Sequence, residues 1–401
     1  MAPKAAEAVA VAATERMAGL FVNTRRAGPV VLLAVCAGTA LPAVAAVLPE
    51  ERADVLYHRY EGGGMTIDGP SVLVRKNFRD KVSVVTNYYV DNVSSASIDV
   101  VTTASPYTEH REEMSVGVEY LHDKTSMGAS FTQSEENDYL ARTVGLSWSQ
   151  DFFGDLSALS FGLALGQDDV GQSTDATFRE SVDRHTFRLG YAQVLSKTAV
   201  LGFAHEVVAD QGFLNNAYRS VRFLDSSVPV GYSYQAEIYP RTRTSNATAL
   251  RAAWHLDNQD AIRGEVRVFS DTWGIAAQNH SLAYTRDITP NWRLEARVRS
   301  YTQDRADFYS DLFPYRDAQN YLARDKEMST FESVLYGIGA TYLIKAPETS
   351  PWQQMSFNLQ IDYIDFQYAD FRDVRVSAAP GTEPLYGYDA VVTRLYYSIW
   401  Y

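Results

Sequence analysis

The residues able to do chemistry stand in strict alternation with apolar ones. Trp292, Leu294, Ala296 and Val298 interleave with Arg293, Glu295, Arg297 and Arg299. Ile262, Gly264, Val266 and Val268 interleave with Arg263, Glu265 and Arg267, and Leu250, Ala252, Trp254 and Leu256 with Arg251 and His255. Phe187, Leu189 and Tyr191 oppose Arg188 and Gly190, while Phe357, Leu359, Ile361 and Tyr363 oppose Asn358, Gln360 and Asp362. A period of two sends side chains to opposite faces of a strand. Arg188, Arg251, Arg263, Glu265, Arg267, Arg293, Glu295, Arg297 and Arg299 are therefore expected on one charged wall. Two kinds of work suit such a wall: a charged eyelet that selects anionic solutes, or a cross-strand ion ladder that stiffens the sheet. Both can hold at once.

Other chemistry is sparse. Seven His are scattered at 58, 110, 122, 185, 205, 255 and 280 without metal-ligand spacing. No Gly-x-Ser-x-Gly elbow, phosphate loop or His-Glu-x-x-His occurs. Carboxylates cluster at Glu135, Glu136 and Asp138, at Asp168, Asp169 and Asp175, and at Asp304, Asp307, Asp311 and Asp317. None has the fixed ligand positions of a calcium loop, so a solvated acidic rim is expected. Loop carboxylates with His205 or His280 are the only residues that an enzyme acting on lipids or peptides could use. The reading is a non-enzyme with no cofactor and no metal.

The elements that position the wall are strands. Apolar residues make up 46% and charged residues 21% of the 401, which excludes a disordered chain. A mean hydropathy of −0.23 excludes a polytopic helical membrane protein. A net charge of −13 argues against a nucleic-acid partner. Period-two segments of about ten residues, the length of a tilted membrane strand, lie near 54–61, 69–78, 81–91, 111–122, 125–134, 141–150, 157–167 and 184–195. They continue near 197–207, 246–257, 260–270, 275–286, 290–302, 331–345, 353–366 and 389–401. Tight connections such as Arg79-Asp80, His122-Asp123-Lys124, Ser196-Lys197 and Asn258-Gln259 alternate with long polar ones near 92–110, 134–140, 168–184, 208–245, 303–330 and 367–388. This predicts an all-β, antiparallel, up-and-down transmembrane barrel with short periplasmic turns and long extracellular loops. Sixteen strands fit the segments, with fourteen as the alternative. Tyr88, Tyr89, Trp148, Trp254, Trp292, Trp352 and Trp400 lie near segment ends, as interfacial girdles would.

Both ends of the chain carry export signals. Arg25 and Arg26 precede an uncharged run, Ala27 to Leu48, with its most apolar part at Val30 to Val35 and the pattern Ala43-Val44-Ala45 behind it. These are the parts of a secretory signal peptide, expected over residues 1–46 with an extended leader in which Met17 could be the true start. The single Cys, Cys36, falls inside that apolar core. Residues 47–401 would be the barrel. At the other end Leu395, Tyr397, Ile399 and the terminal Tyr401 share one face. This is the form of a C-terminal assembly signal for the barrel assembly machinery.

Several stretches resemble the Domain of Unknown Function 3570 (DUF3570) family. They are Arg52 to His58, Gly62-Gly63-Gly64, Ile67 to Lys76, Ser94 to Val101, Tyr120 to Lys124 and Ser134 to Tyr139. The resemblance implies an outer-membrane β-barrel of Gram-negative bacteria with no assigned activity, so no catalytic residue is carried over. The expected partners are outer-membrane lipids. The leading functional expectation is a porin-like passive or gated channel for small polar or anionic solutes. The alternative is a structural barrel docking a periplasmic or surface partner, a redox component among the candidates.

Overall fold

Period-two segments pair edge to edge until no edge is left. The computed structural model describes residues 47–95, 107–256, 260–347 and 349–401. In chain order they form β1 (Arg52–Gly62), β2 (Met65–Phe78), β3 (Val82–Ser95), β4 (Tyr107–His122), β5 (Thr125–Glu135) and β6 (Tyr139–Phe152). Next come β7 (Ser157–Val170), β8 (Glu180–Val194), β9 (Ala199–Gly212), β10 (Ser220–Leu224), β11 (Tyr232–Ala236) and β12 (Thr242–His255). The chain ends with β13 (Asp260–Asp271), β14 (Ala276–Asp287), β15 (Trp292–Gln303), β16 (Phe331–Lys345), β17 (Gln354–Arg372) and β18 (Leu385–Trp400). Sixteen of these close into one barrel whose seam joins β1 to β18, as expected. β10 and β11 stand outside the wall as a hairpin, so β9 pairs directly with β12. The expected signal peptide lies outside the described residues.

The two faces differ as the alternation requires. On β15, Leu294 is 43% and Val298 38% exposed on the outside, while the side chains of Glu295 and Arg297 turn inward and are 9% and 10% exposed. Met114, Leu146, Leu163, Leu250, Leu282, Ile338, Leu359 and Leu395 continue the outer belt on eight further strands. Water does not tolerate an apolar belt running right round a protein. Lipid does, provided every backbone group is paired, which a closed ladder ensures.

One end of the barrel carries tight turns. Arg79 and Asp80 reverse the chain with φ of 53° and 54°, the left-handed pair that matches strand twist in a two-residue turn. At the other end the connections are longer: residues 213–241, 304–330 and 373–384. Several strands outrun their expected limits. β17 has 19 residues and β4 has 16, and the connection expected over 134–140 shrinks to 136–138. The reason is physical: apolar alternation marks only the depth in contact with lipid, whereas the hydrogen-bond ladder continues above it.

Two aromatic girdle positions are corrected. Tyr89 and Trp400 are 5% and 7% exposed and share the inward parity of their strands. Trp254, Trp292, Trp352 and Tyr88 are exposed, and Trp148 packs on Phe161 with ring centres 5.5 Å apart.

Candidate functional site

The inward charges form an ion-paired ladder. Arg188 donates from Nε to Glu206 at 2.5 Å, and Arg267 lies 3.8 Å from the same carboxylate. Arg251 pairs with Glu265 and Arg263 with Glu295. Arg293 reaches Asp287 at 2.6 Å, and Arg297 reaches Glu295 at 3.1 Å and Asp362 at 2.7 Å. Arg299 lines the chamber described below. The charged residues named from the sequence are thus on the inside, and most lean on a carboxylate one or two strands away.

Small residues make the longer reaches possible. Gly337 on β16 faces Arg297 across the ladder on one side and Asp362 on the other. A Cβ there would collide with the Asp362 carboxylate and come within 2.6 Å of Arg297 Nε. Because Gly337 has none, Arg297 on β15 and Asp362 on β17 meet over β16. Arg394 on β18 joins them, its Nη1 donating to Asp362 Oδ2 at 3.0 Å. Arg394 and Asp362 are not among the nine wall residues expected from the sequence, although the alternation puts Asp362 on the polar face of its strand and Arg394 opposite Leu395.

Above the ladder, the long connections fold over the mouth of the barrel. Arg222 on β10 is fully buried. Its Nη1 donates to Glu383 Oε1 at 2.5 Å, its Nε to the Asp311 carbonyl at 2.9 Å, and its Nη2 to the Asp311 carboxylate. Arg324 adds a bond to Asp311 Oδ1 at 3.0 Å and stacks over Phe371 at 4.6 Å. This ion knot ties together 213–241, 304–330 and 373–384. Val221, Phe223, Phe313 and Leu322 pack beside it, and Trp273, Tyr239, Phe308 and Met328 form a second apolar cluster in the cap. Asp311, expected on a solvated acidic rim, is instead 9% exposed within the knot. No stretch of the sequence signals this, because the partners are far apart along the chain.

Titration of the cap is set by burial. Burial pushes the Glu383 carboxyl up, but hydrogen bonds from Arg222 and from the Gly381 N–H outweigh it and hold the group below its ordinary value. Glu237, wholly enclosed, is pushed up to about 7 by burial and by the nearby Asp325 carboxylate.

Between cap and ladder lies a chamber of about 640 Å³. Its roof is Leu214 with Lys326, Glu327 and Met328, and its sides come from inward positions of β1 to β3, β8, β9 and β12 to β18. The lining carries seven Arg and Lys against five Asp and Glu, so in a chain of net charge −13 this interior is locally cationic. His58 lines it too, with Nε2 at 2.8 Å from Asp91 and 3.1 Å from the Tyr89 hydroxyl. Among the described residues, no three His, Cys, Asp or Glu side chains are grouped to hold a metal.

The C-terminal residues also have their places. Leu395 is 54% exposed to the lipid side, and Tyr397 stacks near Phe357 with ring centres 4.7 Å apart. Ile399 shares their parity. Tyr401 lies beyond the strand, where its hydroxyl donates to the Arg75 carbonyl at 2.7 Å and its ring sits 5.0 Å from Lys76 Nζ.

A closed antiparallel barrel of sixteen strands, apolar outside and charged within, is an outer-membrane β-barrel protein. The chain belongs to the family described as "Protein of unknown function (DUF3570)", which matches residues 98–187 and 172–367. The resembling stretch at 52–76 lies ahead of those residues. No curated protein sequence matches. Among solved structures the chain is similar to a bacterial polysaccharide outer membrane secretin, at 8% identity and TM-score 0.47, over 86% of this chain and 97% of that one. It is similar to a Pseudomonas aeruginosa FadL homologue at 9% identity and TM-score 0.40, over 87% and 90%. It is also similar to the outer membrane protein opdK from Pseudomonas aeruginosa at 9% identity and TM-score 0.41, over 88% and 99%.

Proposed function

We propose that the barrel is a gated passage for small polar or anionic solutes. The observation that carries this reading is the chamber itself. A sixteen-stranded barrel is wide enough for an aqueous lumen unless something fills it. Here the loop-side half keeps about 640 Å³ of space, lined with excess cations and roofed by connections held through side-chain ion pairs. Ion pairs of that kind can part and re-form, so the roof is a gate. The test is conductance of the refolded full chain in a planar bilayer under a salt gradient. Discrete openings with anion preference are expected, and silence across pH and voltage would overturn the reading.

A second reading, a barrel that docks a surface partner, is favoured by the exposure of Leu224, Val230, Tyr315, Tyr321 and Val376 on the cap. Cross-linking on whole outer membranes, followed by recovery of the barrel, tests it. Recovery of the barrel alone would count against it.

A further inference from the structure

The lining of the chamber is segregated. On β2, β1, β18, β17 and β16, five neighbours in the ring, Ile67, Tyr60, Val392, Ile364, Phe366 and Leu335 line it, and the same strands also bring His58, Ser333 and the paired Asp362 and Arg394. Most of the apolar ones belong to one packed cluster. Across the ring, the neighbouring strands β8, β9, β12 and β13 present Arg184 and Arg188, Glu206 and Asp210, Arg243, and Arg267, with Val208 and Phe269 among them. Inward positions of a barrel that only conducts hydrated ions are polar all round. An apolar arc inside the lumen is therefore a departure that lipid contact does not explain.

The cationic arc has an excess of its own. Four arginines there meet three carboxylates: Arg184 pairs with Asp210 at 2.8 Å and Arg243 with Asp271 at 2.6 Å, while Glu206 serves both Arg188 at 2.5 Å and Arg267 at 3.8 Å. The Arg188 side chain keeps 48% of its surface accessible despite its ion pair, so an incoming anion can reach it. The volume falls in the range of small-molecule sites, where apolar walls bind and a few placed polar groups orient.

We infer that the chamber binds an amphipathic organic anion. The carboxylate, or an equivalent single anionic head, sits against the Arg188 and Arg267 side of the chamber. The ring or short hydrocarbon chain lies on the opposite arc, against Tyr60, Ile364 and Phe366. A small inorganic anion would leave that arc wetted, and a neutral hydrocarbon would leave the arginines without use. Only a solute with both parts satisfies both walls. This rests on the chamber being a solute site, as proposed above, but not on its passing current.

Isothermal titration of the folded full chain in detergent tests the inference with three probes: phenylbutyrate, butyrate and phenylbutanol. Phenylbutyrate is expected to bind at least about tenfold more tightly than either of the others, since each lacks one of the two contacts. In Arg267→Gln, phenylbutyrate should weaken by about ten- to a hundredfold while phenylbutanol is unchanged. In Phe366→Ala, phenylbutyrate and phenylbutanol should weaken together. Arg267→Lys keeps the charge and serves if the Gln variant does not fold, a point read from heat-dependent gel mobility; it should retain most of the phenylbutyrate affinity and leave phenylbutanol unchanged. Equal affinity for phenylbutyrate and butyrate, or for phenylbutyrate and phenylbutanol, overturns the inference. Bilayer recordings on the same sample separate the two readings. Binding without current would sink the passage and leave the ligand class standing, whereas current without the binding preference would do the reverse.

Discussion

Replacing Arg222 by Met removes the centre of the ion knot at nearly constant side-chain length. Glu383 then loses contacts at 2.5 and 3.2 Å, and Asp311 loses its carboxylate and carbonyl bonds from Arg222. Asp311 keeps Arg324 at 3.0 Å, but Glu383, 3% exposed, is left buried without the guanidinium, keeping its Gly381 N–H bond at 2.8 Å. Breaking a buried ion pair by removing one partner costs about 3–5 kcal/mol. At about 1.4 kcal/mol per tenfold, the open-to-closed ratio of the cap should rise by roughly a hundredfold to a few thousandfold. Single-channel open probability reads this directly, and hydrogen exchange over residues 304–330 reads it without current. Pairing Arg222→Met with Glu383→Gln removes both charges, which costs far less than removing one, so the double variant should close again. An open probability for Arg222→Met within threefold of the parent, with exchange unchanged, would refute the latch.

Closure should also depend on pH in two directions. Glu383, held below its ordinary value, stabilises the closed cap fully above about pH 4.3, and that support is lost as the pH falls through its depressed value. Glu237 titrates near 7 in the closed cap, so between about pH 4.3 and 7 the closed form holds a proton that the open form sheds, and closure weakens as pH rises through this window. Open probability should therefore be lowest near the acidic end of that window, and Glu237→Gln should abolish the rise towards neutrality. Gly337→Ala should force Arg297 and Asp362 apart and destabilise the barrel by about 1–3 kcal/mol, measured as a lower urea midpoint. Arg297→Gln should lower the unfolding temperature and leave the reversal potential alone; Arg188→Gln, exposed to the chamber, should move the reversal potential towards cations and leave the unfolding temperature alone. Leu395→Lys puts a charge on the lipid face of β18, which costs roughly 2–4 kcal/mol at the midplane. Its product should lose the difference in gel mobility between unheated and boiled samples.

The wall of the barrel was legible because lipid imposes a rule on every second residue. Trp292 to Arg299 show the rule in eight consecutive positions, and a slip of one residue would have put four charges into hydrocarbon. The inward arginines follow from the same parity. Their carboxylate partners follow less readily: Asp362 was on an inward face, but nothing local says that Arg297 will reach it over a glycine. The cap was not legible at all. Its polar connections have no period, and Arg222 and Glu383 are 161 residues apart. The apolar arc of the chamber was hidden for a related reason. Ile67, Ile364 and Val392 are apolar at inward positions, so their hydrophobicity breaks the alternation that marks the lipid face.

Glu383 stands two residues before β18, the strand whose far edge seals the barrel against β1. The residue that completes the ion knot and the strand that completes the wall therefore arrive together, on the last hairpin of the chain. While that hairpin is undocked, Arg222 and Asp311 can be in place but the roof has no clasp. Contacts of such long sequence separation form late. A half-built barrel is thus unsealed in its side and unlatched at its mouth at the same moment, and a single event ends both conditions. If the chamber is the passage proposed above, its permeability is tied to completion of the wall.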